Sequence, residues 1–521
     1  MTRPPLLLFL PALLTVLGVL LPLLYLVLRA VGAEPAELRE IVFRTRNLEL
    51  LWNTLLLTIA TLATTTLVAL PLAFVTARSD FRGRGLALLL GVLPLALPGY
   101  VGAYTWLAAT GQGGTLDTLL GLRLPTPGGF WGALGILTLF TFPYLFLNLH
   151  AALRQLDPSL EEAARLLGRT PGRVFRQVTL PYLRPAWLAG ALLIALHVLG
   201  DFSVVSLMRF PTFSAAIYQQ YTAAYDRVYS AWLALGLLLL TGGVLWLEAR
   251  WMRGLRLSRV SPSTARRSQR VPLRRWVWVV WLALILLGTL SLGIPVLTVL
   301  HWLKLDHDPY RWANLWDTAR MTLGAAALAA LTTTALAFPL AYLGSRYGQA
   351  NRGGRWAQLT ERVAYLGYAT PPLAFALALI FFTLKVIPGL YQSYALLVAA
   401  YALHFTAEAI GPLRSGLLIA TPRLEEAARV LGQSALGGLR RVTLPLLRPG
   451  LLVSASFVFL SVLKELPLTL LLAPTGFDTL ARDIWAYTEE AQYAQAAPAA
   501  LVLLLSGVLL TRLILSREDH P

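Results

Sequence analysis

The sequence predicts an all-α polytopic membrane protein, with about twelve transmembrane helices arranged as two tandem six-helix halves. Three observations predict this fold. Hydrophobic residues make up 57% of the 521 residues and charged residues only 13%, whereas about a quarter of a soluble domain is charged. The apolar residues fall into runs long enough to cross a bilayer. One polar motif also occurs twice, at corresponding places in the two halves.

The apolar runs give six candidate spans in each half. In the first half they are 6–28, 50–77, 86–110, 130–153, 186–208 and 230–250. In the second half they are 277–303, 318–344, 360–384, 390–413, 450–473 and 497–516. Several runs contain proline, which membrane helices tolerate because neighbouring groups satisfy the freed carbonyls. No run alternates with the period of a barrel strand, so we expect helices throughout.

A basic linker is predicted between the halves. We expect a first transmembrane half at 1–252, a cytoplasmic linker at 253–275 and a second half at 276–521. The linker is rich in arginine and serine, and its simplest interpretation is a topology signal with an attraction to anionic lipid. The first apolar run is longer than the core of a typical signal peptide, so we expect an uncleaved first helix.

Arginine and lysine set the predicted orientation. The chain holds 44 of them against 26 acidic residues, a net charge of +18. A nucleic-acid partner is not expected, because that requires a basic face on a soluble fold. With a cytoplasmic N-terminus, the most basic loops all face the cytoplasm. These loops lie near 78–84, 154–184, 250–275, 346–362 and 414–448. Both termini are therefore predicted to be cytoplasmic.

The repeated motif is a short polar segment between long apolar runs. Residues 157–168 read DPSLEEAARLLG, and residues 421–432 read TPRLEEAARVLG. In both copies, nine residues separate the final glycine from the sequence Val-Thr-Leu-Pro. A single copy is compatible with an ordinary amphipathic loop helix, but identical spacing in two copies favours a specific docking element.

Each copy has the start and stop signals of a short helix. Asp157 or Thr421 is expected to cap the helix, and a proline follows at its first position. Gly168 or Gly432 is expected to end it in the left-handed conformation that glycine favours. About ten residues rise roughly 15 Å, which is too short to cross a bilayer. The motif therefore predicts a helix outside the membrane.

Several kinds of chemistry have no support in the sequence. The absence of cysteine excludes disulfides, thiolate metal sites and cysteine nucleophiles. There is no Gly-x-x-x-x-Gly-Lys-Ser/Thr phosphate-binding loop, and the six histidines form no pair with metal-ligand spacing. We therefore expect no catalytic residues and no cofactor in this chain. The sequence leaves any metal site unknown.

The duplicated segment resembles the EAA motif of permease subunits of binding-protein-dependent ABC importers, and the resemblance extends along the whole chain. In that family the segment forms a coupling helix that sits in a cleft of the ATPase subunit. The resemblance implies contact of Glu162 and Glu426 with that ATPase. The full set of implied coupling residues is Glu161, Glu162, Ala163, Ala164, Gly168 and Pro181, with Glu425, Glu426, Ala427, Ala428, Gly432 and Pro445.

The same resemblance implies partners and a location. Two copies of a cytoplasmic ATPase subunit would hold ATP and magnesium, and a periplasmic or lipid-anchored solute-binding protein would deliver the solute. The chain would be a multi-pass protein of the bacterial cytoplasmic (inner) membrane, in contact with membrane lipid. An ion-driven secondary transporter or a membrane enzyme is the alternative from another class, and neither calls for a duplicated cytoplasmic motif.

Four segments are similar to ferric-iron importer permeases: 199–202, 464–474, 476–481 and 490–497. This similarity implies ferric iron as the solute. Related fused permeases serve thiamine, phosphonates or polyamines, and these solutes stay open as alternatives.

Two acidic residues fall at equivalent places inside the fifth span of each half. They are Asp201 and Glu465, with His197 and Ser461 one helical turn earlier. Acidic residues within spans are costly and usually face a partner or a watery path. One hypothesis is that these four residues line a translocation path near the axis relating the halves. The alternative is that the two acids form structural pairs near helix ends.

Three more polar residues lie in predicted spans of the second half. Lys464 stands beside Glu465, which opposes a simple attraction of cations. His404 and Glu408 are one turn apart, and we expect this pair to serve packing.

Overall fold

The structure, a computed structural model, describes residues 6–32, 39, 44–224, 226–252, 270–306, 309–347 and 351–518. These residues form α-helices joined by short loops, which confirms the predicted all-α polytopic fold. Residues 253–269, most of the predicted linker, lie outside the described residues.

The first half contains twelve of the described helices. They are α1 (Leu6–Val31), α2 (Thr45–Arg78), α3 (Arg84–Val92), α4 (Gly99–Ala109), α5 (Thr115–Leu120), α6 (Gly129–Gln155), α7 (Pro158–Leu166), α8 (Pro171–Val174), α9 (Leu180–Gly200), α10 (Ser203–Leu207), α11 (Phe213–Thr222) and α12 (Arg227–Met252). A π-helical turn, Phe175–Thr179, connects α8 to α9.

The described part of the second half repeats this order. Its helices are α13 (Val277–Gly288), α14 (Ile294–Leu305), α15 (Pro309–Tyr347), α16 (Asn351–Ala369), α17 (Pro372–Val386), α18 (Tyr394–His404), α19 (Thr406–Ile419), α20 (Pro422–Val430), α21 (Ala435–Gly438), α22 (Leu444–Leu463), α23 (Pro467–Leu472), α24 (Leu480–Glu489) and α25 (Tyr493–Glu518). A π-helical turn, Leu439–Thr443, again precedes the helix that begins at the motif's Leu-Pro.

By length and composition, eight helices of the described chain could each cross a membrane, or eleven if each bent pair forms one span. The last predicted span corresponds to α25, whose apolar part is Tyr493–Leu509. The third span of each half is broken: α3 and α4 meet at 97°, and α16 and α17 meet at 107°. Pro98 and Pro371 lie at these breaks. Proline interrupts a helix because it donates no backbone hydrogen bond and restricts the residue before it.

The fifth spans end earlier than the sequence predicts. The predicted spans run to 208 and 473, but α9 ends at Gly200 and α22 at Leu463. Helix α9 stops one residue before Asp201 and α22 two residues before Glu465, and these acids cap the short helices that follow. The predicted ends of these two spans were wrong, because a hydropathy pattern does not reveal where a helix is interrupted.

The two halves are interlocked. Helix α1 packs against α16 and α17 of the second half, and α14 packs against α4 of the first half. The indole nitrogen of Trp302 in α14 donates a hydrogen bond to the carbonyl of Ala108 in α4 at 3.0 Å. The first span of each half therefore contacts the third span of the other half, as expected for parallel repeats related by an axis along the membrane normal.

Equivalent threonines fix the short helices that follow each broken fifth span. The hydroxyl of Thr54 in α2 accepts a hydrogen bond from the backbone N–H of Phe213 at 3.1 Å. In the second half, Thr322 of α15 accepts one from Leu480 at 3.0 Å. These bonds hold α11 and α24 against the long second span of their own half, which shapes the space between the halves.

The end of the linker is attached to the first half. Val271 forms a β-bridge with Ser79, and the carboxylate of Asp80 accepts a hydrogen bond from the N–H of Leu273 at 3.0 Å. Ser79 directly follows α2, whose last residue, Arg78, pairs with α7. The linker end therefore lies on the side of the molecule that carries α7, here called the α7–α20 face.

Candidate functional site

Helices α7 and α20 have nine residues each and start with proline, as predicted. The carboxylate of Asp157 accepts a hydrogen bond from the N–H of Ser159 at 2.9 Å, and this bond lowers the pKa of Asp157. The predicted cap at Thr421 was wrong, because its side chain makes no capping hydrogen bond. Entry into α20 is held by the backbone instead, through a bond of 2.9 Å from the Thr421 N–H to the carbonyl of Ile419.

Both helices end at a left-handed glycine, which confirms the predicted stop. Gly168 has φ +75° and Gly432 has φ +81°. No atom lies within 4 Å of where a Cβ would stand at either position. Glycine is therefore favoured here by backbone conformation, since a left-handed residue with a side chain is strained.

The first glutamate of each motif faces inward, toward its own half. In α7, the carboxylate of Glu161 is paired with Arg78 at the end of α2 and accepts a hydrogen bond from the hydroxyl of Thr179 at 2.8 Å. The side chains of Arg78 and Glu161 are only 3% and 13% exposed. This buried pair fastens α7 to the membrane helices.

The second half repeats the arrangement with one addition. In α20, Glu425 lies 3.1 Å from the guanidinium of Arg346 and accepts a hydrogen bond from Thr443 at 3.0 Å. The hydroxyl of Tyr342 donates a further bond at 2.8 Å. Phe74 occupies the equivalent position in the first half, so Glu161 lacks this third partner.

The π-helical turns explain the Val-Thr-Leu-Pro sequence. Thr179 and Thr443 are the last residues of these turns, and Pro181 and Pro445 follow within the first turn of α9 and α22. Proline lacks an N–H and its ring crowds the carbonyl four residues earlier, which a widened turn relieves. The motif therefore places a threonine hydroxyl where it reaches the glutamate of the short helix.

The outer surfaces of α7 and α20 are open. Glu162 and Glu426 are exposed. Next to them, at the ends of the helices, stand four strongly exposed apolar residues: Leu166 (89%), Leu167 (81%), Val430 (87%) and Leu431 (81%). An exposed apolar patch rimmed by charge is typical of a protein interaction site.

The remaining motif residues divide between the outer and inner surfaces. Ala163 and Ala427 are exposed, Ala164 is half-buried and Ala428 is buried. The two motif prolines are half-buried where the fifth spans begin. Each predicted coupling segment therefore has an inner surface that anchors it and an outer surface open to a partner.

A cavity of about 240 Å³ lies between the two halves. It is lined by the four residues of the path hypothesis: His197, Asp201, Ser461 and Glu465. Both broken third spans contribute, through Pro98 and Gly99 in the first half and Tyr368 and Pro372 in the second. The structure thus brings together residues that are far apart in the sequence.

The two equivalent acids also cap helices. A carboxylate oxygen of Asp201 accepts a hydrogen bond from the N–H of Val204 at 2.8 Å, at the start of α10. Glu465 accepts one from Leu468 at 2.9 Å, at the start of α23. Neither forms an ion pair within the described residues. The acids therefore hold the short helices in place while lining the cavity.

Sequence reasoning gave too little weight to Glu408 and Lys464. Both line the cavity. Glu408 accepts a hydrogen bond from the hydroxyl of Ser461 at 2.7 Å, and the ammonium group of Lys464 donates one to the carbonyl of Leu95 in the first half at 2.7 Å. His404, for which only packing was expected, also lines the cavity, and its ring packs against Phe405. A lone glutamate within a predicted span was the available signal for Glu408.

The described residues contain no group of three or more His, Asp or Glu side chains arranged to hold a metal ion. The cavity instead presents separated carboxylates, one lysine and imidazole groups around an open space.

The fold has the features of a membrane transport component. It has two repeated helical halves, a polar cavity between them and a pair of exposed short helices on one face. The family model described as a binding-protein-dependent transport system inner membrane component matches residues 69–249 and again 337–515. The chain belongs to this family, as a fused permease with one copy of the family unit in each half.

Similarity to individual members of this family covers up to nearly the whole chain. The chain is 32% identical over 520 residues to the Fe(3+)-transport system permease protein FbpB 2 of Haemophilus influenzae, covering 97% of both chains. It is 28% identical to the probable ABC transporter permease protein y4fN of Sinorhizobium fredii, covering 80% of this chain and 78% of the relative. The molybdenum transport system permease protein ModB of Mycobacterium tuberculosis is 38% identical over 159 residues, which is 28% of this chain and 58% of that protein.

Proposed function

We propose that this chain is the transmembrane permease of an ATP-driven importer that moves ferric iron from a solute-binding protein into the cytoplasm. The observation that carries the proposal is the pair of equivalent helices α7 and α20, each anchored inward by a buried glutamate and open outward. Full-length similarity to a permease named for Fe(3+) transport supports the choice of solute.

The α7–α20 face is proposed to dock two copies of a cytoplasmic ATPase subunit, which bind ATP and magnesium. Each copy would receive one short helix through its exposed charged and apolar residues. The buried pairs of Glu161 and Glu425 tie these helices to the second spans. A movement imposed on either helix would therefore pass to a long membrane helix and not only to a loop.

The cavity between the halves is proposed as part of the translocation path. ATP binding would draw the two ATPase copies and both coupling helices together, opening the path toward the binding protein. Hydrolysis would then reset it toward the cytoplasm. The bond between Lys464 and Leu95 joins the halves at the cavity, so a rocking of one half against the other would have to break it. Asp201, Glu408 and Glu465 would offer negative charge to a passing cation.

This proposal includes an inner-membrane location with the α7–α20 face and both termini in the cytoplasm. It also includes halves at 1–252 and 276–521 joined by the 253–275 linker. The end of that linker lies on the α7–α20 face, in agreement with the arginine distribution.

The testing experiment compares uptake of labelled ferric iron by source cells with and without this chain, beside labelled thiamine, phosphonate and a polyamine. In cells without this chain we expect loss of iron uptake alone, and we expect reintroduction of the wild-type chain to restore it. Loss of uptake of another solute, with iron uptake intact, would leave the importer proposal standing and would overturn ferric iron as the solute. Co-purification of the tagged chain tests the partners separately, and its failure to retain an ATPase would overturn the coupling assignment.

A further inference from the structure

A second cavity has a volume of about 180 Å³. It is formed by the ends of α1, α12 and α17, and its lining is basic and aromatic. The lining residues are Tyr25, Arg29, Arg227, Phe381, Leu384 and Lys385. None of them belongs to the coupling helices or to the polar cavity between the halves.

The position of this pocket follows from the chain path. Helix α2 ends on the α7–α20 face, so its start, and the end of α1 that leads to it, lie on the opposite side. Arg29 stands in the last turn of α1 and Lys385 in the last turn of α17. Arg227 is the first residue of α12, which returns toward the linker. The three cations therefore meet where membrane helices reach the opposite bilayer surface.

Each of the two aromatic residues that line the pocket, Tyr25 and Phe381, contacts an aromatic ring of the other half. Tyr25 of the first half contacts Phe382 of the second, with ring centroids 6.4 Å apart. Tyr221 contacts Phe381 at 6.3 Å. Tyrosine at this depth is typical of the membrane interface, where one end of the ring is apolar and the other is wet. The pocket thus has an apolar wall and a cationic mouth.

No carboxylate within the described residues neutralises these three cations. Arg29, Arg227 and Lys385 form no ion pair within the described residues. Arg227 also stands at the start of a helix, where the helix dipole disfavours a positive charge. Like charges around one small pocket repel each other, so an anion bound between them would relieve the repulsion.

We propose that this pocket binds the phosphate headgroup of an anionic phospholipid from the adjoining leaflet. The pocket opens beside exposed apolar residues of α1, including Leu24 and Leu28, along which acyl chains can lie. A basic pocket between membrane helices, with an aromatic wall and an apolar flank, has the features of a lipid headgroup site. A soluble anion would use the cations but not this flank.

The bound lipid would connect the two halves. Arg29 and Arg227 belong to the first half and Lys385 to the second, so one phosphate held by all three bridges the line along which the halves pack. Anionic lipid would therefore stabilise the conformation in which the three side chains converge.

The test measures thermal unfolding of the purified full-length chain in neutral detergent as phosphatidylglycerol is added. We expect phosphatidylglycerol to raise the unfolding temperature, and phosphatidylcholine or inorganic phosphate at equal concentration to leave it nearly unchanged. The double variant Arg29→Gln with Arg227→Gln should weaken the lipid's apparent affinity about thirty-fold, because each cation near the surface contributes roughly a factor of five. Native mass spectrometry of the same samples counts the lipid molecules retained.

The matched control is Arg123→Gln with Arg320→Gln, which removes the same charge from the same face at residues paired with Asp117 and Asp317. It should keep the wild-type response to phosphatidylglycerol. Lys385→Gln alone should reduce the response, since the site needs both halves. An equal response to phosphatidylcholine, to inorganic phosphate or in both double variants would overturn the proposal. Because the lipid comparison is made on the wild-type chain, a poorly folding variant does not prevent the test.

Discussion

The carboxylate of Glu425 lies 3.1 Å from the guanidinium of Arg346, and both side chains are about nine-tenths buried. This pair joins a short surface helix to the end of a membrane helix of 39 residues. The neighbouring Glu426 has the same chemistry but is exposed. Adjacent glutamates of the motif therefore perform different tasks, one as an anchor and one as part of an open surface.

Glu425→Ala is expected to destabilise the chain by about 3–5 kcal/mol, because it leaves a buried guanidinium without its charge partner. Glu426→Ala should leave the free energy of unfolding nearly unchanged. Chemical unfolding of both variants in detergent measures the difference. Equal stabilities would show that the buried pair does not anchor α20.

Tyr342→Phe converts the second half to the arrangement of the first, where Phe74 stands at the equivalent position. It removes one hydrogen bond to a charged carboxylate and should cost about 1.5–3 kcal/mol. Tyr182→Phe is the control, since that hydroxyl is partly exposed and its contact with Gln155 is long, at 3.5 Å. The unfolding free energies of the two variants should differ, and a loss of the same size in both would contradict the role of Tyr342.

Gly168→Ala and Gly432→Ala should each cost about 1–2 kcal/mol, because alanine is strained in the left-handed conformation. Gly172→Ala offers a control in the short helix α8, where a Cβ meets nothing within 4 Å and φ is not positive. We expect the control to be at least as stable as the wild type. If all three variants have the same free energy of unfolding, backbone conformation does not explain why the motif has glycine at these two positions.

Leu167→Asp with Leu431→Asp should strongly weaken association with the ATPase while leaving the fold intact. Both side chains are 81% exposed, and burying a leucine at an interface contributes about 1.5–3 kcal/mol. Because each ATPase copy would receive one helix, each copy loses one such contact, which weakens its binding about tenfold to a hundredfold. Co-purification with the cell's own ATPase measures this. Leu124→Asp, exposed on the opposite face, should keep full association, and retention of the ATPase by the double variant would contradict the docking role.

Asp201→Asn with Glu465→Gln separates the two roles of the cavity acids. Carboxamide oxygens can still accept the capping hydrogen bonds, so stability should be kept. Uptake of labelled ferric iron should fall by about tenfold to a hundredfold, because a hydrogen bond to a charged group is worth about 1.5–3 kcal/mol. Unchanged uptake would leave these acids with a capping role alone. The Asp201→Ala variant, which also loses the cap, should in addition be less stable.

The sequence was sufficient for features that depend on local pattern. Long apolar runs determine that the chain is a helical membrane protein, since only helices satisfy the backbone in lipid without closing a barrel. The duplicated motif determines two short helices outside the membrane, because proline and glycine mark their ends. Thr421 shows the limit of such rules: the residue type suits a cap, but the backbone around it supplies the hydrogen bonds.

Other features depend on contacts between distant segments, which one-dimensional pattern does not contain. Glu161 and Glu162 are neighbours of the same type, and only the approach of Arg78 and Thr179 makes one of them buried. Lys464 and Leu95 meet because the two halves interlock. The sequence by itself thus determined the class of protein, its repeat and its two short helices. Tertiary structure decided which charged groups are paired, exposed or gathered around a cavity, because burial and electrostatics depend on where the helices pack.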